Sequence, residues 1–194
     1  RWFRYFRNTH LQQNASNIYY DFYTWLNPGD PVPSGRHFMR ISNPDLLVEA
    51  NFSDHMPELN FDSEYVRKGV LNVAAYWMEL GVDGFRFDAA KYPYFGDHAK
   101  NAEFWTWYMD ELKKINPDVY TVAEVWDGDG ITNRYLKAFN CFRFSTSQAE
   151  GLISVTAQGG DVNLRAIGVF RSVDDRFRAV GPLARRFAGG VHGY

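Results

Sequence analysis

Val82-Asp83-Gly84-Phe85-Arg86-Phe87-Asp88 is the stretch on which the fold turns. Its residues alternate with period two, which as a β-strand puts Phe85 and Phe87 on one face and Arg86 and Asp88 on the other. Immediately upstream, Ser63 is a helix N-cap with Glu64 just inside. Apolar Val66, Val70, Val73, Trp77 and Leu80 then recur at three- and four-residue spacings, and Gly81 closes the helix. Downstream the pattern repeats. After a loop from Ala89 to Lys100, Asn101 caps a helix carrying Phe104, Tyr108, Leu112 and Ile115, and Asn116-Pro117 stops it. A second strand, Val119 to Val125, is rich in β-branched residues. A short helix near Ile131 to Ala138 and a short strand from Cys141 to Phe144 extend the series. Alternating helices and strands specify an α/β fold with parallel strands and right-handed crossovers.

The flanks read differently. Residues 1–60 are rich in Asn, Pro and Gly, with aromatics between them, and read as a long irregular excursion. Residues 61–163 form the βα segment. Residues 164–194 form an Arg/Gly-rich tail with no legible element: Lys137 is the last lysine, while six arginines fall between Arg165 and Arg186.

Composition narrows the function classes. A hydrophobic share of 45% with a net charge of -2 describes a globular chain with no field to draw nucleic acid or an anionic membrane. The partner expected is therefore a neutral molecule, with no nucleic acid, no membrane and no particular oligomeric state implied. The single Cys141 excludes an internal disulfide and reads as a buried spacer, and the five histidines form no zinc motif. No organic cofactor is called for. Arg1-Trp2-Phe3-Arg4 lacks signal-peptide architecture, so a secretion signal for a secreted or cell-surface protein would lie upstream. Twelve Tyr and six Trp suit either an aromatic core or the stacking of sugar rings.

The chemistry converges on the strand ends. On the second strand Val122, Glu124 and Trp126 share a face opposite Ala123 and Val125, so Asp88 and Glu124 lie at equivalent ends of neighbouring strands. Parallel neighbours lie about 4.8 Å apart, close to the ~5 to 5.5 Å separation of paired carboxyls in retaining glycosidases. Such a pair needs unlike protonation: Arg86 favours an ionised Asp88, and a partly desolvated setting beside Trp126 favours a protonated Glu124. The same three charges would also make an ordinary ion-pair network.

Gly84-Phe85-Arg86-Phe87-Asp88-Ala89-Ala90-Lys91 resembles the nucleophile motif of the α-amylase family (glycoside hydrolase family 13). Val122-Ala123-Glu124-Val125-Trp126 resembles its acid/base motif, and Met56-Pro57-Glu58-Leu59-Asn60 a third signature, in the form of members intermediate between oligo-1,6-glucosidases and neopullulanases. The resemblance implies a partial (β/α)8 TIM barrel, about strands four to six, with residues 1–60 as a domain B-like excursion. It further implies a retaining hydrolase of α-glucosidic bonds in starch-like glucans or malto-oligosaccharides. In that scheme Asp88 is the nucleophile, Glu124 the acid/base and Arg86 the orienting partner, with Lys91, Tyr92 and Trp126 binding substrate. Tyr92 stands where α-amylases often have histidine, Ala123 where many members have glycine, and Glu58 where many have aspartate. That acidic residue and the carbonyl after the motif lysine ligate calcium in some relatives, which makes Glu58 a candidate calcium ligand. Its alternative is an exposed loop carboxylate.

Two family motifs have no counterpart, among them the one supplying a third carboxylate; neither Asp161 nor Asp174-Asp175 has its context. The expectation is an incomplete catalytic domain with little activity alone. The competing readings are a non-catalytic glucan-binding module using Trp2, Tyr19, Tyr23 and Trp25 as surface aromatics, and a structural amylase-like module. Against the latter, a scaffold has no reason to keep Arg86, Asp88 and Glu124 together.

Overall fold

The computed structural model describes residues 1–147 and 151–160; the Arg/Gly-rich stretch 164–194, with Asp161, Asp174 and Asp175, lies outside them. The chain divides into two units, Arg1–Val125 with Arg134–Cys141, and Trp126–Asn133 with the residues from Phe142 onward.

Residues 1–60 are not an irregular excursion. They hold helix α1 (Trp2–Leu11) and strands β1 (Trp25–Leu26), β2 (Phe38–Ser42) and β3 (Asp45–Glu49), paired antiparallel in the order β1-β3-β2. What makes them regular is burial. Phe6, Phe22, Tyr23, Leu46, Val48 and Val66 form one buried cluster, with Trp2, Tyr19 and Trp25 packed against it. Phe6 meets Tyr23 edge-on at 5.3 Å, and Trp2 meets Phe22 edge-on at 5.5 Å. The four aromatics expected as a surface sugar platform are thus core and core rim. Burying one such ring stabilises the fold by about 1.5–3 kcal/mol.

Helix α2 (Glu64–Glu79) starts after Ser63 as expected, although the serine side chain makes no capping bond. Gly81 takes φ +93 just beyond the helix, the left-handed backbone that glycine adopts without strain. Only part of the expected apolar stripe is covered: Val66 is buried, whereas Val73, Trp77 and Leu80 are exposed. Strand β4 (Gly84–Phe87) follows, then α3 (His98–Ile115) and β5 (Tyr120–Ala123). Asn101 does not cap α3. The helix begins four residues earlier than that cap implies, because Asp97 accepts from the Lys100 amide at 2.9 Å. Phe104, Tyr108 and Leu112 are buried as their spacing predicts, while Ile115 is exposed.

Helix α4 (Asp129–Tyr135) and strand β6 (Asn140–Cys141) complete a parallel sheet in the order β4-β5-β6. The third strand is one residue earlier and shorter than expected, since Phe144 opens helix α5 (Phe144–Ser147), and α6 (Leu152–Ala157) follows. Cys141 is partly exposed where a buried spacer was expected. Phe87 fills the space between sheet and helix, with Trp105 at 4.8 Å, Phe139 at 5.7 Å and Tyr108 at 5.8 Å. The Tyr108 hydroxyl donates to the Val70 carbonyl at 3.1 Å, tying α3 to α2. At Gly84 a Cβ would lie 2.3 Å from the Tyr120 carbonyl oxygen, so β4 and β5 approach as closely as they do only because that position has no side chain. Among the described residues no helix is long and apolar enough to cross a membrane.

Candidate active site

The register of β4 and β5 sets the site. Arg86 stands opposite Val122 and Phe87 opposite Ala123. Beyond the strands the ladder continues through Glu124 N–H to the Phe87 carbonyl at 2.8 Å, then Ala90 N–H to the Glu124 carbonyl at 2.9 Å. Asp88 and Glu124 therefore leave the sheet side by side. Ala123 and Val125 are fully buried on the opposite face, which turns Glu124 the other way.

Arg86 binds both acids. Its Nη1 lies 2.8 Å from Asp88 Oδ1, and its Nη2 donates to Glu124 Oε2. This revises the expected electrostatics, in which the arginine served Asp88 alone. The guanidinium is long enough to span two adjacent strand ends, and its fork offers donors to both. Asp88 is 74% exposed and Glu124 24%, so the two carboxylates share a cation while differing in their contact with water. Trp126, expected beside Glu124, belongs to the second unit. There it is 62% exposed and stacks on Phe144 with centroids 5.3 Å apart. In the same unit Asp129 accepts from the Ser145 hydroxyl at 2.8 Å and pairs with Arg143 at 3.3 Å.

The loop carrying Lys91 and Tyr92 is held from one helix face. Ala89 sits at φ +46, a left-handed backbone that costs an alanine about 1–2 kcal/mol and so needs support from its surroundings. Trp105 supplies part of it, its indole N–H donating to the Ala90 carbonyl at 2.6 Å. Asn101, fully buried, supplies the rest: Nδ2 donates to the carbonyls of Lys91 at 2.7 Å and Tyr94 at 2.8 Å, while Oδ1 accepts the Tyr94 amide at 2.9 Å. Sequence reasoning missed this role. The available signal was the four-residue spacing of Asn101 and Trp105, which puts both on one face of α3. Lys91 Nζ lies 5.5 Å from the centroid of the Tyr92 ring, and that ring meets Phe52 at 4.7 Å.

Glu58 is not an exposed loop carboxylate. It is partly buried, its Oε1 has no hydrogen-bond partner, and burial, then the nearby Glu49 charge, push its pKa up to about 7. The Asn51 backbone hydrogen bond and the Arg36 charge oppose that rise. Both oxygens of Glu49 accept from Arg36, and Asn51 Nδ2 donates to Glu49 Oε1 at 2.8 Å. Glu58 therefore offers a calcium ion one open oxygen, against the six to eight such an ion takes. Among the described residues no three His, Cys, Asp or Glu side chains converge as a metal site. These groups do not fit a calcium ion, and no step is derived through one.

A sequence profile described as "Alpha amylase, catalytic domain" matches residues 1–145. Alpha-amylase 3 of Dictyoglomus thermophilum is 41% identical over 119 residues, 61% of this chain and 23% of that protein. Neopullulanase 2 of Thermoactinomyces vulgaris is 38% identical over 71 residues, 37% of this chain and 11% of that protein. Among solved structures, Amy13B of Eubacterium rectale superposes with a TM-score of 0.70 at 25% identity, covering 82% of this chain and 32% of that one. The α-amylase of H. orenii superposes with a TM-score of 0.62 at 27% identity, covering 77% and 31%. The chain thus spans about a quarter of the length of the curated relatives it matches.

Proposed function

This chain belongs to the α-amylase family of catalytic domains, and from that premise we propose that it carries the catalytic pair of a retaining glycoside hydrolase. Its substrates on this reading are the α-glucosidic bonds of starch-like glucans or malto-oligosaccharides. The observation that carries the proposal is the single guanidinium of Arg86 on both Asp88 and Glu124, at matched ends of paired parallel strands. The C-terminal end of the strands is where βα-barrel enzymes place their chemistry. On this reading β4, β5 and β6 are strands four to six of an eight-stranded barrel, residues 1–60 are the domain B-like part, and the remaining strands and third carboxylate come from outside the described residues.

The Asp88 carboxylate attacks the anomeric carbon as the bond to the leaving sugar oxygen breaks, and Glu124 gives that oxygen a proton. Asp88 is then an ester of the sugar. Water, losing a proton to Glu124, attacks the same carbon and releases Asp88. Arg86 holds the Asp88 carboxylate aimed by its 2.8 Å contact. Glu124 exchanges its contact with Arg86 for the leaving oxygen when substrate arrives. Lys91 and Tyr92 bind the leaving-group side.

The test is an activated fluoro-glucoside or malto-oligosaccharyl fluoride trap, followed by mass spectrometry of the peptide containing Asp88. A glycosyl adduct on Asp88, absent from Asp88→Asn, is the expected result. Label on another carboxylate, or none on the intact protein shown to be folded by circular dichroism, would overturn the assignment; label on the intact protein but none on this stretch alone would show that the remaining strands are required.

A further inference from the structure

We infer that Asn101 and Trp105 are positioning residues for the leaving-group side of the site, holding the main chain that presents Lys91 and Tyr92. The inference rests on the reading above, which puts those two residues against the leaving sugar.

Four backbone groups of one short loop are fixed by two side chains from one helix face. The Ala90 carbonyl goes to Trp105, and the Lys91 carbonyl, Tyr94 amide and Tyr94 carbonyl go to Asn101. Asn101 has no exposed surface, so none of its bonds can be exchanged for water without opening the loop. A side chain spent as a cap would face the start of its own helix. Asn101 instead lies in the first turn of a helix already capped by Asp97, and its amide is turned wholly to the loop. Upstream the loop is tied to the second strand by Ala90 N–H to the Glu124 carbonyl. Downstream the Tyr94 hydroxyl donates to the Phe61 carbonyl at 2.8 Å and accepts from Arg67 at 2.8 Å. Between these ends the Tyr92 amide closes a turn onto the Ala89 carbonyl at 3.0 Å. Asp88, by contrast, precedes the first of these anchors and is placed by the sheet ladder and by Arg86. Loosening the Asn101 contacts should therefore displace Lys91 and Tyr92 more than Asp88. A site whose substrate contacts shift by about 1 Å loses on the order of 100-fold in rate, so a selective shift has a selective readout.

Steady-state kinetics of the intact protein with two substrates separates this from a general folding role. Malto-oligosaccharide places a sugar on the leaving-group side, whereas α-glucosyl fluoride places only fluoride there. Asn101→Ala is expected to raise KM for malto-oligosaccharide by about tenfold or more. Its kcat/KM for glucosyl fluoride should fall no more than about threefold. Trp105→Phe keeps an aromatic ring at the position while losing the indole N–H and part of the packing. It should show the same split in weaker form, and it carries the test if Asn101→Ala does not fold. Equal losses on both substrates would mean fewer folded molecules and would overturn the positioning role while leaving the hydrolase reading intact. An intact wild-type protein inert toward both substrates would overturn the hydrolase reading, and this inference with it.

Discussion

Two clusters of one arginine with two acidic side chains stand among the described residues. Arg36 with Glu49 and Glu58 lies at the antiparallel sheet, and Arg86 with Asp88 and Glu124 at the end of the parallel one. Each has one guanidinium and two carboxyl groups, so a count of residues does not distinguish them. Water does. Glu49 is 3% exposed and its cluster is closed by Asn51, whereas Asp88 is 74% exposed. The buried set is a structural rivet, and on the proposed reading the open one exchanges partners with an incoming sugar. Similar residues become scaffold or, on the proposed reading, chemistry according to where the fold puts them.

The sharpest way to break the comparison is to neutralise one acid in each set. In the intact protein, Asp88→Asn should lower kcat on malto-oligosaccharide by on the order of 10⁴-fold or more, with an unchanged melting temperature. Near-wild-type turnover would remove the distinction altogether. Arg36→Met should do the reverse. It leaves Glu49 buried and uncompensated, at a cost of about 3 kcal/mol or about 10 °C in Tm, while kcat per folded molecule holds. Differential scanning calorimetry with active-site titration reads both quantities.

The third effect is pH-dependent. Glu58 keeps its proton in the folded protein up to about pH 7, against an ordinary value of 4.5. Between those values the folded state binds a proton that the unfolded chain has lost, so its contribution is full below 4.5 and disappears as pH rises through about 7. Glu58→Gln should flatten the stability profile across that window and raise Tm at pH 8. A mutant profile parallel to wild type would show that the carboxyl is ionised throughout. Smallest of all is Arg40→Met: Arg40 forms an exposed bidentate pair with Asp45 at 2.8 Å, and its loss should move Tm by less than about 1 °C.

How much of this was readable from residue order depended on what each signal was for. Phe85, Arg86, Phe87 and Asp88 were legible because a strand buried on one face must alternate, and Gly81 because a helix end needs a left-handed residue. Helix α1 was not, since Arg1 makes no side-chain capping bond and the first turn has no acid; its regularity comes from burying Phe6 against a sheet that is distant in sequence. The two to five residues of β1, β2 and β3 are too short for a period to declare itself between turn residues. Asn101 was misread for the opposite reason. Asparagine at a helix start is a capping signal, yet Asp97 took that role and freed Asn101 for a tertiary contact that local propensity cannot express. The acids at 88 and 124 were placed correctly by strand periodicity, but the shared guanidinium required the register, which only the fold reveals.

Gly84 carries a last consequence. A methyl group there would collide with the Tyr120 carbonyl, so the strands would have to part, and with them the two carboxylates that leave the sheet a few residues on. Selection on this protein would then guard a residue that touches no sugar and moves no proton as jealously as Asp88 itself, and a survey of tolerated substitutions would register at position 84 the width of a gap.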